Sequence, residues 1–242
     1  MAARPALQGQ TVVVIGGSAG IGLETARAAG AEGAEIVLTA RNPERLQRAA
    51  LELDALTTAA FDAADVAALD RFFQDLPTPV DHVMVTAGRP YYAPLAEIDF
   101  DQARRSFDDH LFLALRVAQH AAATIRPGGS LLFMGGTGGR KRGPGLSLIA
   151  AGTAALPALV ANLAVEVAPV RANLIAAGFV DTPLSADLLG DQLEARRDQL
   201  RATLPIGRVV GPVDIAALAI HLMTNGAVTG ATYDIDGGQQ LV

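Results

Sequence analysis

The residues in this chain with the clearest chemical use are glycines. VVVIGGSAGIGLETA, residues 12–26, ends a β-branched run in Gly16 and continues past Gly20, Ile21 and Gly22 with helical spacing. A strand that stops in glycines and opens straight into a helix presents backbone N–H groups and a positive dipole end. With no side chains in the way, a pyrophosphate can approach them. The competing reading is a tight strand-to-helix turn that needs glycine only for its dihedral angles. Proton-transfer chemistry is scarcer. GPGLSLIAAGTAALPALVANLAVEVAP, residues 143–169, is a turn and an apolar helix whose one titratable side chain is Glu166. His110 is a group elsewhere that can titrate near neutrality. Thr137 and Ser147 offer hydroxyls, which orient a substrate well but are poor acids at neutral pH.

These groups need a scaffold, and the pattern of the chain predicts one. TVVVIG, EIVLTA, ALTTAAFD, HVMVTAG, SLLFMGG and RANLIAAG are short buried-strand runs, separated by Ala- and Leu-rich segments of helical length. Near-continuous apolar strands alternating with helices imply a parallel sheet covered on both faces, with right-handed crossovers. At 242 residues with half of them hydrophobic, one α/β domain is expected. The expected architecture is a single-domain, Rossmann-type doubly wound parallel sheet that binds ligands at its carboxyl edge. The acidic SADLLGDQLEARRDQL suggests a helical insertion on the substrate side, around residues 184–204.

The formal charge of -6 is spread over ordinary helix faces, leaving no basic stripe for nucleic acid or an anionic membrane surface. Without cysteine there is no disulfide, thiolate metal site or thiol nucleophile, and no metal site is expected. MAARPALQGQ lacks an apolar core of signal-peptide length, so a soluble cytoplasmic protein is expected.

The G-x-x-x-G-x-G spacing of Gly16, Gly20 and Gly22 resembles the short-chain dehydrogenase/reductase family. FDAAD at 61–65, VTAG at 85–88, RANLIAAGFVDTPL at 171–184, LPIGRVVGPVDIA at 204–216 and VTGATYDIDGG at 228–238 extend the resemblance over essentially the whole chain. It implies a nicotinamide dinucleotide. Arg41 stands where NADP-using members carry a basic residue, and a guanidinium can clasp a 2′-phosphate in two hydrogen bonds, so NADP(H) is expected. Ser18 and Asn42 are supporting donors. Asp62 and Ala63 resemble the adenine contacts, although FDAADVAAL also reads as a helix cap. Ala87 and Gly88 match the small residues passing the ribose, without the family's usual asparagines. Gly178, Val180 and Thr182 match the nicotinamide carboxamide contacts, with Ala177 in place of proline.

The same resemblance implies a catalytic tyrosine, lysine, serine and asparagine, and this chain departs at all four. Ile149 falls at the tyrosine, Thr153 at the lysine, Gly136 at the serine and His110 at the asparagine. A missing general acid costs ~10²–10⁴ in rate but leaves hydride transfer open. Two repairs are open. In one, His110 gives the proton, against the alternative of a packed histidine on an apolar helix. In the other, the substrate is an iminium ion that needs none, with Ile149 in a dry pocket and Asp108 or Asp109 favouring the cation; surface placement is the bland reading of those carboxylates. Tyr91 and Tyr92 read as aromatic lining or oligomer contact. Arg140 to Arg142 could steer an anion, but a solvated loop is the simpler reading. Glu166 and Arg171 read as helix solubility and the return to the next strand.

The expected function is therefore an atypical NADP(H)-dependent reductase of a carbonyl, imine or iminium small molecule. A catalytically silent NADP(H)-binding sensor or scaffold is the alternative. Family resemblance further implies a homodimer or homotetramer, with ALPALVANLAVEVA and ATYDIDGGQQLV as contacts.

Overall fold

The computed structural model describes residues 5–76 and 79–242; Met1 to Arg4 of the N-terminal stretch lie outside the described residues. Seven parallel strands run in the order β3-β2-β1-β4-β5-β6-β7. They are β1 (Thr11–Ile15), β2 (Glu35–Ala40), β3 (Thr57–Ala60), β4 (Val80–Val85), β5 (Ile125–Gly136), β6 (Arg171–Ala177) and β7 (Thr232–Ile235). β1 pairs in register on both sides, Val13 opposite Val37 and Val83. Its TVVVI is buried on both faces, which is why the run is continuous rather than alternating.

Helices α1 (Gly20–Ala31), α2 (Pro43–Leu53) and α9 (Pro212–Thr224) cover one face; Ala26, Leu46 and Ile215 pack there against Val12, Val14 and Leu38. On the other face, α3 (Val66–Asp75), α5 (Leu113–Thr124) and α6 (Ser147–Glu166) bring Phe72, Val117 and Leu156 against Val13, Val83 and Leu131. The remaining helices are α4 (Phe100–Phe107) before α5, and α7 (Pro183–Leu189) and α8 (Leu193–Thr203), which fall between β6 and α9. Starts are set locally. Asn42 caps α2 ahead of Pro43, Asp65 caps α3, and Thr182 caps α7 ahead of Pro183.

α6 is long and apolar enough to cross a membrane by length and composition, and it lies on the sheet with Thr153, Leu156, Val160 and Leu163 buried. Arg171 corrects its sequence reading. It is 6% exposed, and its guanidinium donates to the carbonyls of Leu222, Met223 and Val228, closing the C-terminal end of α9. A helix end leaves unpaired carbonyls and a partial negative charge, which a buried guanidinium satisfies.

Candidate active site

The sheet order reverses between β1 and β4, and two adjoining cavities open along the carboxyl edge there. The first, about 570 Å³, is bounded by Gly16, Ser18, Gly20, Ile21 and Gly22 of the β1–α1 turn. Arg41, Asn42 and Arg45 follow β2, Asp62 and Ala63 follow β3, and Ala87, Gly88 and Thr182 complete it.

The turn is built so closely that side chains are excluded. A Cβ on Gly22 would sit 2.4 Å from the Gly16 carbonyl oxygen, and one on Gly16, at φ 98°, would sit 2.7 Å from the Ala87 nitrogen. Thr86 Oγ1 donates to the carbonyls of Ile15 and Gly16 at 3.1 Å, tying the end of β4 to the turn. The result is a bare backbone surface at the N-terminus of α1, the chemistry that accepts a pyrophosphate. Arg41 is exposed beside it. Asn42 spends its Oδ1 on the Arg45 N–H at 2.7 Å and keeps its amide nitrogen as a donor. Arg45, in the first turn of α2, brings a second guanidinium that the sequence reading missed. The capping alternative for Asp62 passes to Asp65, which accepts from the Ala68 N–H. The Asp62 carboxylate accepts from Ala64 N and borders the cavity. Burial raises the Asp109 carboxyl above the ordinary range; Asp62 and Asp108 push the same way, against His110 and Arg41. Asp109 lines this first cavity and not the second.

The second cavity, about 820 Å³, shares Ile21, Ala87, Gly88 and Thr182 with the first. It is walled by Tyr91, Tyr92, Gly136, Thr137, Ile149, Thr153, Gly178 and Val180, and by His110. Thr153 Oγ1 donates to the Ile149 carbonyl at 2.7 Å, so its hydroxyl hydrogen is spent inside α6. The Tyr91 hydroxyl accepts the Asp99 N–H at 2.9 Å, at the start of α4, an anchored-wall role. Gly178 has no room for a Cβ, which would lie 2.6 Å from Gln239 Oε1. That same oxygen accepts from Phe179 N at 2.8 Å and braces the loop after β6.

His110 sits in a π-helical stretch, Asp108–Phe112, joining α4 to α5. One added residue in a helical turn re-aims the side chains around it, and such bulges recur at functional sites. His110 Nδ1 lies 2.7 Å from the Ser106 carbonyl oxygen. A carbonyl can only accept, so Nδ1 carries a proton and Nε2 is the exchangeable nitrogen. A Cβ on Gly88, at φ 126°, would lie 3.2 Å from Nε2, which places that nitrogen where the two cavities meet.

Two sequence candidates are not brought to the site: Asp108, which borders neither cavity, and Ser147. Ser147 is exposed at the start of α6 and borders neither cavity. It stands two residues before Ile149, roughly 200° around the helix at ~3.6 residues per turn. The solvated-loop reading of residues 140–142 fits the exposed Arg140 and Arg142 but not Lys141. Arg140 Nη2 donates to Asp234 Oδ1 at 2.8 Å on β7, and Lys141 borders the second cavity. Arg196 of α8, also unread in the sequence, borders it too.

Residues 16–240 match the family model described as enoyl-(acyl carrier protein) reductase. The chain is 28% identical to the short-chain dehydrogenase/reductase malC of Malbranchea aurantiaca, over 98% of this chain and 97% of that protein. It is 31% identical to 3beta-hydroxysteroid dehydrogenase 1 of Eggerthella lenta, over 97% and 95%. Among solved structures, the MalC reductase/Diels-Alderase of Malbranchea aurantiaca superposes with a TM-score of 0.91 at 26% identity, covering 99% of both chains. A small-chain dehydrogenase in complex with NADPH superposes at 0.83 with 28% identity, over 96% and 99%. The bare glycine turn at the reversal of the sheet and the end-to-end match to these proteins have one common explanation: the chain belongs to the short-chain dehydrogenase/reductase family.

Proposed function

We propose that this protein is an NADP(H)-dependent reductase that acts on a carbonyl or imine carbon of a small molecule and takes the accompanying proton from His110. The observation that carries the proposal is the placement of His110 Nε2 beside Gly88, at the junction of the cavities, with Nδ1 held by the Ser106 carbonyl. Bound NADPH would supply the hydride. Arg41 and Arg45 would hold the 2′-phosphate, with Ser18 and Asn42 as further donors and no carboxylate at the end of β2 to repel it. Asp62 and Ala63 would meet the adenine, Ala87 and Gly88 the ribose, and Gly178, Val180 and Thr182 the carboxamide.

The departures at Ile149, Thr153 and Gly136 leave these positions without an acid, a cation or a free hydroxyl to act on a substrate oxygen. As an imidazolium, His110 can give the Nε2 proton while the Nδ1–H···O bond fixes the ring, the geometry wanted of a general acid. Among the described residues bordering the second cavity there is no carboxylate. A preformed iminium cation would find no counter-charge there, so a carbonyl or a neutral imine is favoured over it.

The test is NADPH consumption by the purified protein with matched ketones, aldehydes, neutral imines and preformed cyclic iminium ions, with NADH and His110→Ala alongside. Carbonyl or imine turnover that collapses in His110→Ala supports the proposal. Turnover of iminium ions alone, unchanged in the variant, overturns the proton role. NADPH binding with no turnover of any class moves the assignment to a silent sensor or scaffold.

A homodimer or homotetramer belongs to the same proposal. Apolar side chains remain outside the core on α6 and at the start of α5, with Val165 78% and Phe112 50% exposed. Light scattering in solution tests it, and a monomer at micromolar concentration defeats it.

A further inference from the structure

We infer that the second cavity takes a substrate bearing an organic anion, held by Lys141 and Arg196. The inference rests on the reductase reading of that cavity and adds the class of molecule it selects. The chain as a whole is acidic, at a formal -6. Yet among the described residues bordering this cavity the charged side chains are all basic: Arg89, Lys141 and Arg196, with His110 able to join them.

Two pairs of sequence neighbours show that this is a local arrangement. Arg140 and Lys141 are adjacent; Arg140 is committed to Asp234, whereas Lys141 Nζ has no hydrogen bond or ion pair among the described residues. Arg196 and Arg197 repeat the pattern on α8. Arg197, outside the cavity, is paired with Asp181 at 2.7 Å and with Glu194. Arg196, on the cavity, has no carboxylate. It donates to Gln199 Oε1 at 2.7 Å, and its guanidinium carbon lies 5.9 Å from the centre of the Phe179 ring. Phe179 also borders the cavity, and its backbone is fixed by Gln239.

In each pair the cation away from the cavity is paired with carboxylates and the one bordering the cavity is not. Arg89 differs, since Asp187 on α7 pairs with it at 2.6 Å. An aromatic face and a glutamine orient a guanidinium without cancelling its charge, and an ammonium without a partner keeps its three donors. A carboxylate or a phosphate monoester supplies the missing charge, while a cation is repelled.

The experiment measures binding rather than turnover. NADPH-loaded protein is titrated by calorimetry with para-acetylbenzoate, para-acetylphenyl phosphate, para-acetylbenzamide and para-acetylbenzylamine. The unmutated chain, the double variant Lys141→Gln with Arg196→Gln, and Arg142→Gln as a neighbouring control are compared. The expected result is an anion bound about tenfold or more tightly than the amide, the amine weakest, and the order between carboxylate and phosphate naming the group. That preference disappears in the double variant and survives in Arg142→Gln. An amide or amine that binds as tightly as the anions, anions that do not bind, or a preference that outlives the double variant overturns the inference. The charge series on the unmutated chain needs no variant to fold. NADPH is titrated separately, so a chain that binds the anions but not NADPH breaks the reductase reading and leaves the anion site standing.

Discussion

The two cavities share a wall but are built from different material. The first is organised around backbone: a glycine turn so tight that a Cβ on Gly22 would lie 2.4 Å from a carbonyl oxygen, with side chains such as Arg41, Arg45 and Asp62 around it. The second is made of side chains, namely Ile149, Thr153, Tyr91, Tyr92, His110, Lys141 and Arg196. A backbone surface this tight leaves no room for a side chain at Gly16 or Gly22. A side-chain surface can be changed residue by residue while the sheet stays intact, so family membership fixes the first cavity and leaves the chemistry of the second to this chain.

The comparison breaks most severely at Gly22. Gly22→Val puts carbon where the Gly16 carbonyl already sits, and no measurable NADPH binding is expected by fluorescence titration, with folding followed by circular dichroism. Normal NADPH affinity in a folded Gly22→Val chain would mean that the turn is not the cradle. His110→Ala should leave NADPH affinity in place and lower kcat by ~10²–10⁴. An unchanged kcat in His110→Ala would remove His110 from the chemistry.

The opposite end of the sheet sharpens the comparison, because its polar groups serve stability alone. His82 is 3% exposed, with Nδ1 2.8 Å from Ser130 Oγ and Nε2 2.7 Å from Gln10 Oε1. Burial, aided by Arg171, lowers its pKa from 6.5 to about 4. A depressed pKa means the unfolded chain binds the proton more readily. Its contribution is therefore complete above pH 6.5 and lost as pH falls toward 4. Urea unfolding should show a loss of about 2–3 kcal/mol between pH 7 and pH 4.5, which His82→Gln should flatten. The smallest effect belongs to the far end of the first cavity. Arg41→Ala with Arg45→Ala should reduce the preference for NADPH over NADH in kcat/KM by about 10–100-fold, leaving NADH turnover nearly unchanged. An unchanged preference would place the 2′-phosphate elsewhere.

Much of the fold was legible because its signals are local. The runs at β1, β2, β4 and β6 are buried almost throughout rather than alternately, since both faces are covered, and the glycines mark the turn between β1 and α1. Arg41 and Asp62 could be read because the family resemblance places each just after a strand, and the carboxyl ends of adjacent strands converge on one edge.

The sequence by itself thus determined six of the seven strands, the glycine turn and the absence of a tyrosine from the apolar helix. Only the tertiary structure decided which of two neighbours faces the cavity: Lys141 rather than Arg140, Arg196 rather than Arg197, Ile149 rather than Ser147. It also turned Arg171 from a loop residue into the buried clasp on α9, through carbonyls some fifty residues away in the chain. The reason is physical. Strand and turn propensities act over a few residues, whereas a side chain's direction is set by how its helix or loop is rotated against elements distant in sequence.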